Sequence, residues 1–173
     1  MFKSLLIAGA CLSIATSVQA EVRDRGPDHF VLRYEAITDR TPPTLYAAVG
    51  AVGLWWDGAH TYSGDARNMT LPLEVGGCFC EQLADGTAFE HGRVVGIDLA
   101  SGISLDAPLG PLKGKAARAD WRIEWSGDGP DRTLVMTYVV QGDGLGVWAD
   151  GVDGVMSGQF ARLVRFIEAD GPA

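Results

Sequence analysis

Cys78, Cys80, His91 and Arg93 are the residues whose types and spacing could carry chemistry. They flank Asp85-Gly86, a dipeptide that marks a tight hairpin when strand-like segments lie on both sides. If those two residues form the loop, Cys80 opposes His91 and Cys78 opposes Arg93. Alternate residues share a face, so the four side chains lie together, with opposed Cβ atoms about 5 Å apart. Imidazole and guanidinium groups favour a thiolate, which makes Cys80 and His91 candidate catalytic groups. Other arrangements of the same residues are open. The cysteines could pack inside beside a hydrogen-bonded histidine, or the whole face could be solvated. Cys78, Cys80 and His91 could ligate zinc or copper(I), with His60 as a fourth ligand. Cys78 and Cys80 could bond to each other, although alternate Cα atoms of an extended strand sit about 6.5–7 Å apart, at the limit of disulfide geometry. A bulge at Gly76-Gly77 would shorten that distance. In this register Glu81 and Glu90 also oppose each other, which makes their face the wet one. Phe79 and Leu83 on the glutamate face argue the reverse.

A second group of candidates lies in the polar loop Asp57–Asn68, where His60, Tyr62 and Ser63 follow the Trp55-Trp56 pair. Polar side chains on loops are more often functional than those inside elements. His60 is a further catalytic candidate. Trp55, Trp56, His60, Tyr62, Trp121, Met136, Tyr138, Met156 and Phe160 are candidate walls of a ligand cavity, with plain core packing as the alternative for the aromatic and methionine positions. His29 opens a strand and is expected to be exposed.

These residues belong to a chain of 173 residues with 47% hydrophobic and 21% charged residues, the profile of one globular domain. The net charge of −8 repels phosphate backbones and disfavours nucleic acid as a partner. Met1–Ala20 has a basic start at Lys3, a short apolar run and a Val18-Gln19-Ala20 cleavage pattern, which predicts a signal peptide and a periplasmic or secreted protein. Cleavage removes Cys11 and leaves Cys78 and Cys80 in an oxidising compartment. No later segment has the roughly 18 apolar residues of a membrane span. There is no G-x-G-x-x-G, Walker A, nucleophile elbow, His-Glu-x-x-His or calcium-loop pattern, so no cofactor is expected.

The elements that must position the candidates follow from periodicity. Residues 21–28 read as a loose lead-in. His29–Ile37 alternates as a half-buried strand with Phe30, Leu32, Tyr34 and Ala36 on one face. Pro42-Pro43 opens one or two short helices over Leu45–Val49 and Val52–Trp56. Strands are predicted over Met69–Val75, Cys78–Ala84, Thr87–Asp98, Ile103–Leu105, Trp121–Trp125 and Thr133–Val140. Trp148–Ala169 is an amphipathic helix with a stripe through Val152, Val155, Met156, Gln159, Phe160, Leu163, Val164 and Ile167.

This element order resembles the helix-grip fold of the START and birch-pollen-allergen superfamily (SRPBCC). The polyketide cyclase/dehydrase or heat-shock-protein-ATPase-activator-homologue branch is the most similar. The likeness rests on Pro43–Val49 followed by Gly53-Leu54-Trp55-Trp56-Asp57, on Gly76-Gly77-Cys78-Phe79-Cys80-Glu81, on Asp85-Gly86, on Glu90-His91-Gly92-Arg93-Val94-Val95 and on the C-terminal helix. Ala59–Asp65 and Ala107–Leu112 are similar to a secreted subgroup. The resemblance implies an α+β domain over residues 29–169: a curved antiparallel sheet wrapped around a long C-terminal helix, with two short helices after the first strand. It also implies a small hydrophobic ligand held between sheet and helix, since members bind lipids, sterols, polyketides or hormones. Some members are cyclases or chaperone cofactors; the expected signal peptide separates this chain from cytosolic ATPases. A cyclase or hydrolase using His91, His60 and Cys80 is the alternative to a binding module, and a metal or redox site at Cys78, Cys80 and His91 is the third reading. No motif names the ligand or the oligomeric state.

Overall fold

The computed structural model describes residues 19–169, with side chains from Val22. The expected signal peptide lies outside the described residues up to Val18. The first strand, β1 (Gln19–Gly26), starts there and pairs with β2 (His29–Thr38). Residues 21–28 are therefore not a loose lead-in. Pro27-Asp28 turns the chain back, Val22 pairs with Leu32, and the strand covers a β2 edge that would otherwise expose unpaired backbone groups.

Two short helices follow, α1 (Pro42–Gly50) and α2 (Val52–Trp55). Six strands come next: β3 (Met69–Thr70), β4 (Cys78–Gln82), β5 (Ala88–Asp98), β6 (Gly102–Asp106), β7 (Arg118–Ser126) and β8 (Arg132–Gln141). The chain ends in α3 (Ala149–Glu168), entered through a 3₁₀ turn over Leu145–Trp148. All pairings are antiparallel, in the order β1-β2-β8-β7-β6-β5-β4-β3. This curved, open sheet carrying one long helix is an α+β helix-grip arrangement. The strand expected over Met69–Val75 stops after Thr70, because Pro72 cannot donate to a ladder and a turn runs from Pro72 to Gly77.

The alternating residues of β2 and β7 face inward, as their spacing predicts: Phe30, Leu32, Tyr34, Trp121, Ile123 and Trp125 are all buried. α3 lays Met156, Phe160, Leu163, Val164 and Ile167 across that face. Burying one such side chain contributes about 1.5–3 kcal/mol, so the five together give this contact between helix and sheet a large share of the core. Gln159 is the polar exception in the stripe. It is fully buried, and its Oε1 accepts from Asp57 N–H at 2.9 Å, tying the loop after α2 to the helix.

The β4–β5 hairpin departs from the simple register in two places. Its loop holds three residues, Ala84–Gly86, closed by Leu83 N–H donating to Thr87 O at 2.8 Å, with Gly86 at φ +85°. Glycine takes that left-handed conformation without a steric cost. Pairing then runs Gln82↔Ala88, Glu81↔Phe89 and Cys80↔Glu90. A bulge at His91 restores Phe79↔Gly92 and Cys78↔Arg93. The two shifts cancel at Cys78 and do not cancel at Cys80, so Cys80 faces Glu90 and not His91.

Candidate functional site

The bulge decides what enters the interior. On β5 the usual alternation breaks, and both His91 and Gly92 are buried. A Cβ on Gly92 would sit 2.7 Å from Asp106 O and 2.6 Å from Ala107 Cβ, so only glycine fits beside the bulged histidine. On β4, Phe79 and Glu81 point inward, while Cys78 and Cys80 point out. The expectation that the cysteine face is inside and the glutamate face wet is reversed for Glu81. That residue is 0% exposed, whereas Glu90 keeps a half-exposed carboxylate paired with Arg93.

Glu81 and His91 form a buried pair, with Oε2 to Nε2 at 2.9 Å. Glu81 also accepts from the backbone N–H groups of Tyr62, at 3.1 Å, and Ser63. Burial alone would raise its pKa. The hydrogen bonds from Ser63, Tyr62 and His91 outweigh burial and hold the carboxyl below its ordinary value. Burial pushes the His91 imidazole down, against the opposing pull of Glu81, so the ring is neutral at pH 7. A neutral ring beside an ionised carboxylate places its proton on Nε2 and leaves Nδ1 as an acceptor. No hydrogen bond engages Nδ1 among the described residues, and His91 lines a cavity. The ring is held among Phe79, Phe89 and Tyr62, with centroids 5.2, 4.9 and 5.8 Å away.

The ring borders a cavity of about 650 Å³. Trp56 and the loop residues His60, Thr61 and Tyr62 form one wall. Leu109–Leu112 form the second, and Val147 and Trp148 of the 3₁₀ turn with Gly151, Val152, Val155 and Met156 of α3 form the third. The walls are largely apolar. The loop wall is pinned by Trp56 Nε1–H donating to His60 O at 3.1 Å and by Arg162 paired with Asp57 at 2.7 Å. The second wall hangs on Tyr138, whose buried hydroxyl donates to Ala107 O at 2.7 Å and accepts from Leu109 N–H at 3.1 Å.

Among the residues expected to line a cavity, Trp56, His60, Tyr62 and Met156 do so. Trp55, Trp121, Met136, Tyr138 and Phe160 do not: they fill the core beneath the helix, which leaves the open space at one end of the sheet. Apolar residues at strand or helix spacing satisfy core and cavity alike, so spacing could not separate them. Glu81, Thr61, Val152 and the Leu109–Leu112 segment were missed. A buried glutamate is legible only once the hairpin register is known. Leu109 and Leu112, in a loop between Pro108 and Lys113, were the available signal for a wall.

Cys78 and Cys80 are joined by a disulfide, with Cα atoms 5.3 Å apart. The irregular pairing at Phe79/Cys80, not one at Gly76-Gly77, accompanies this shortening. The bond uses both sulfurs, and the cysteines lie on the opposite face of the hairpin from His91. Cys80 is therefore not a thiolate activated by His91, and Cys78, Cys80 and His91 do not form a ligand set. The side chain beside the two sulfurs is Glu90, whose Oε2 lies 3.8 Å from Cys78 Sγ. His60 is exposed at the cavity rim and meets neither cysteine. His29 is half-buried and pairs with Asp24 at 3.1 Å.

No family model matches the sequence, and no curated protein matches it. Solved structures do share its fold. A conserved protein of unknown function from Enterococcus faecalis superposes with a TM-score of 0.58 at 11% identity, over 92% of this chain and 81% of that one. A putative uncharacterized protein from Rhizobium leguminosarum gives 0.55 at 19% identity, over 89% and 99%. The di-domain ARO/CYC BexL from the BE-7585A biosynthetic pathway gives 0.55 at 13% identity, over 86% of this chain and 52% of BexL. The chain thus spans about half of BexL. At these identities the likeness is one of fold, an antiparallel sheet gripping a C-terminal helix.

Proposed function

We propose that this protein binds a small, largely apolar molecule in the cavity between the start of α3, the Trp56–Tyr62 loop and the Leu109–Leu112 loop. The observation that carries this reading is a mostly apolar space of about 650 Å³ with one buried, oriented imidazole in its wall. Ligand sites typically occupy about 300–1,000 Å³ and combine apolar walls with a few fixed polar groups. The kinship of fold with BexL, a protein of a biosynthetic pathway, supports a small organic molecule as the occupant. We also propose that residues 1–20 direct export and are removed.

The neutral probe N-phenyl-1-naphthylamine tests the binding reading, since the protein's net charge of −8 would disfavour an anionic dye. Saturable one-to-one binding with a blue-shifted emission is expected. Met156→Trp, which places a larger ring in the cavity wall, should abolish it while the circular dichroism stays unchanged. Absence of saturable binding, or an unaltered affinity in Met156→Trp, overturns the proposal. Amino-terminal sequencing of protein from fractionated cells tests export: Glu21 is the expected first residue, and a retained Met1 refutes it.

A further inference from the structure

We infer that the cavity selects a neutral apolar molecule bearing a hydroxyl, an alcohol or a phenol, whose O–H donates to His91 Nδ1. This rests on the cavity being a ligand site. Nε2 is committed to Glu81, and Glu81 is fixed in turn by the Tyr62 and Ser63 amides. His91 lines the cavity, and with Nε2 committed the remaining ring nitrogen, Nδ1, is the acceptor it has left for a ligand. Trp56, Leu109, Leu112, Val152 and Met156 supply apolar lining; of the polar side chains on the loop wall, Thr61 donates its hydroxyl to Gly58 O, and His60 and Tyr62 are exposed at the rim, so His91 is the buried polar group of the cavity. Three aromatic rings hold the imidazole, so its direction is set before a ligand arrives.

Charge narrows the ligand class. A carboxylate would meet a lone pair backed by ionised Glu81, in a chain of net charge −8. An ammonium group would have to shed its hydration against apolar walls. Lys113 does not reverse this: it donates to the Glu90 backbone carbonyl, lies 4.8 Å from the Phe89 centroid and is not among the cavity-lining residues. A neutral hydroxyl satisfies Nδ1 without adding a charge. An otherwise identical ether leaves Nδ1 buried and unpaired, which is the stronger source of discrimination.

Competition against N-phenyl-1-naphthylamine tests this with three matched, non-fluorescent molecules: 4-tert-butylphenol, 4-tert-butylanisole and 4-tert-butylbenzoate. The phenol should displace the probe about tenfold more tightly than the anisole, a ratio equivalent to about 1.4 kcal/mol. The benzoate should be the weakest at pH 7. His91→Phe should remove the preference for phenol over anisole, read as the ratio of the two competitors within the variant so that any change in probe affinity cancels. Equal binding of phenol and anisole, a benzoate as tight as the phenol, or a preference that survives His91→Phe overturns the inference. If that variant does not fold, the ring-nitrogen NMR spectrum of the wild-type protein decides. The Nδ1 resonance of His91 should move with the phenol and not with the anisole, and a resonance indifferent to both refutes the assignment. Failure of the probe itself to bind removes the cavity reading, which is a separate outcome from loss of hydroxyl selectivity.

Discussion

Glu81→Ala should be among the most damaging single substitutions in this protein, and Glu90→Ala among the mildest. Glu81 is fully buried and serves three donors: Tyr62 N–H, Ser63 N–H and His91 Nε2–H. Alanine leaves all three without an acceptor. One unpaired buried donor costs about 1–3 kcal/mol. The two amides belong to a loop whose Tyr62 is exposed, so water can reach into the vacated space and the lower end of the range applies to them. The sum is about 3–5 kcal/mol. For a domain of this size that lowers Tm by roughly 6–20 °C, at about 2–4 °C per kcal/mol. Glu90 contributes a half-exposed pair with Arg93, worth about 0–1 kcal/mol. Thermal and urea denaturation followed by circular dichroism reads both variants against the wild type. Equal shifts for the two glutamates would refute the hairpin register and the buried pair with it.

Stability should also fall as pH drops below about 6.5, the ordinary histidine value, because unfolded His91 takes up a proton that the folded ring resists. A second fall should follow below about 4.5, as unfolded Glu81 protonates before the folded carboxyl does. His91→Phe should remove the upper phase only, as read by urea midpoints across pH. Cys78→Ser/Cys80→Ser should cost only about 1.5 kcal/mol, because the closed loop is so short. Intact mass under non-reducing conditions should place the wild-type protein two hydrogens below its dithiol form. Tyr138→Phe removes the hydroxyl that bridges Ala107 O and Leu109 N–H, leaving only their mutual hydrogen bond at 2.8 Å, and should weaken N-phenyl-1-naphthylamine binding through the loosened Leu109–Leu112 wall, with a stability loss of about 0.5–1.5 kcal/mol.

The local repeats of the chain were enough to place most of its elements. The inward alternation of β2 and β7 and the stripe of α3 are properties of consecutive residues, because a strand repeats every two residues and a helix every 3.6. With the two short helices between them, they give the element order on which the resemblance to the helix-grip fold rests. Gln159 shows the limit of such patterns: its place in the stripe is periodic, but its bond to Asp57 N–H is a tertiary fact.

The site depended on a count that periodicity does not carry. Asp85-Gly86 marks the hairpin, yet a three-residue loop and a bulge at His91 decide which side chains share a face. A shift of one residue turns every side chain of a strand over. That single step carries His91 away from the cysteine face and onto the inward face of Phe79 and Glu81. Likewise, Met156 borders the cavity and Phe160, one turn along the same stripe, is core. Both need only be apolar. The sequence by itself determined most of the strands, the long helix and the inner faces of β2 and β7, because those follow from local spacing. Tertiary structure alone decided the buried pair, the disulfide and the cavity, because each depends on how separate segments register and where their packing leaves space.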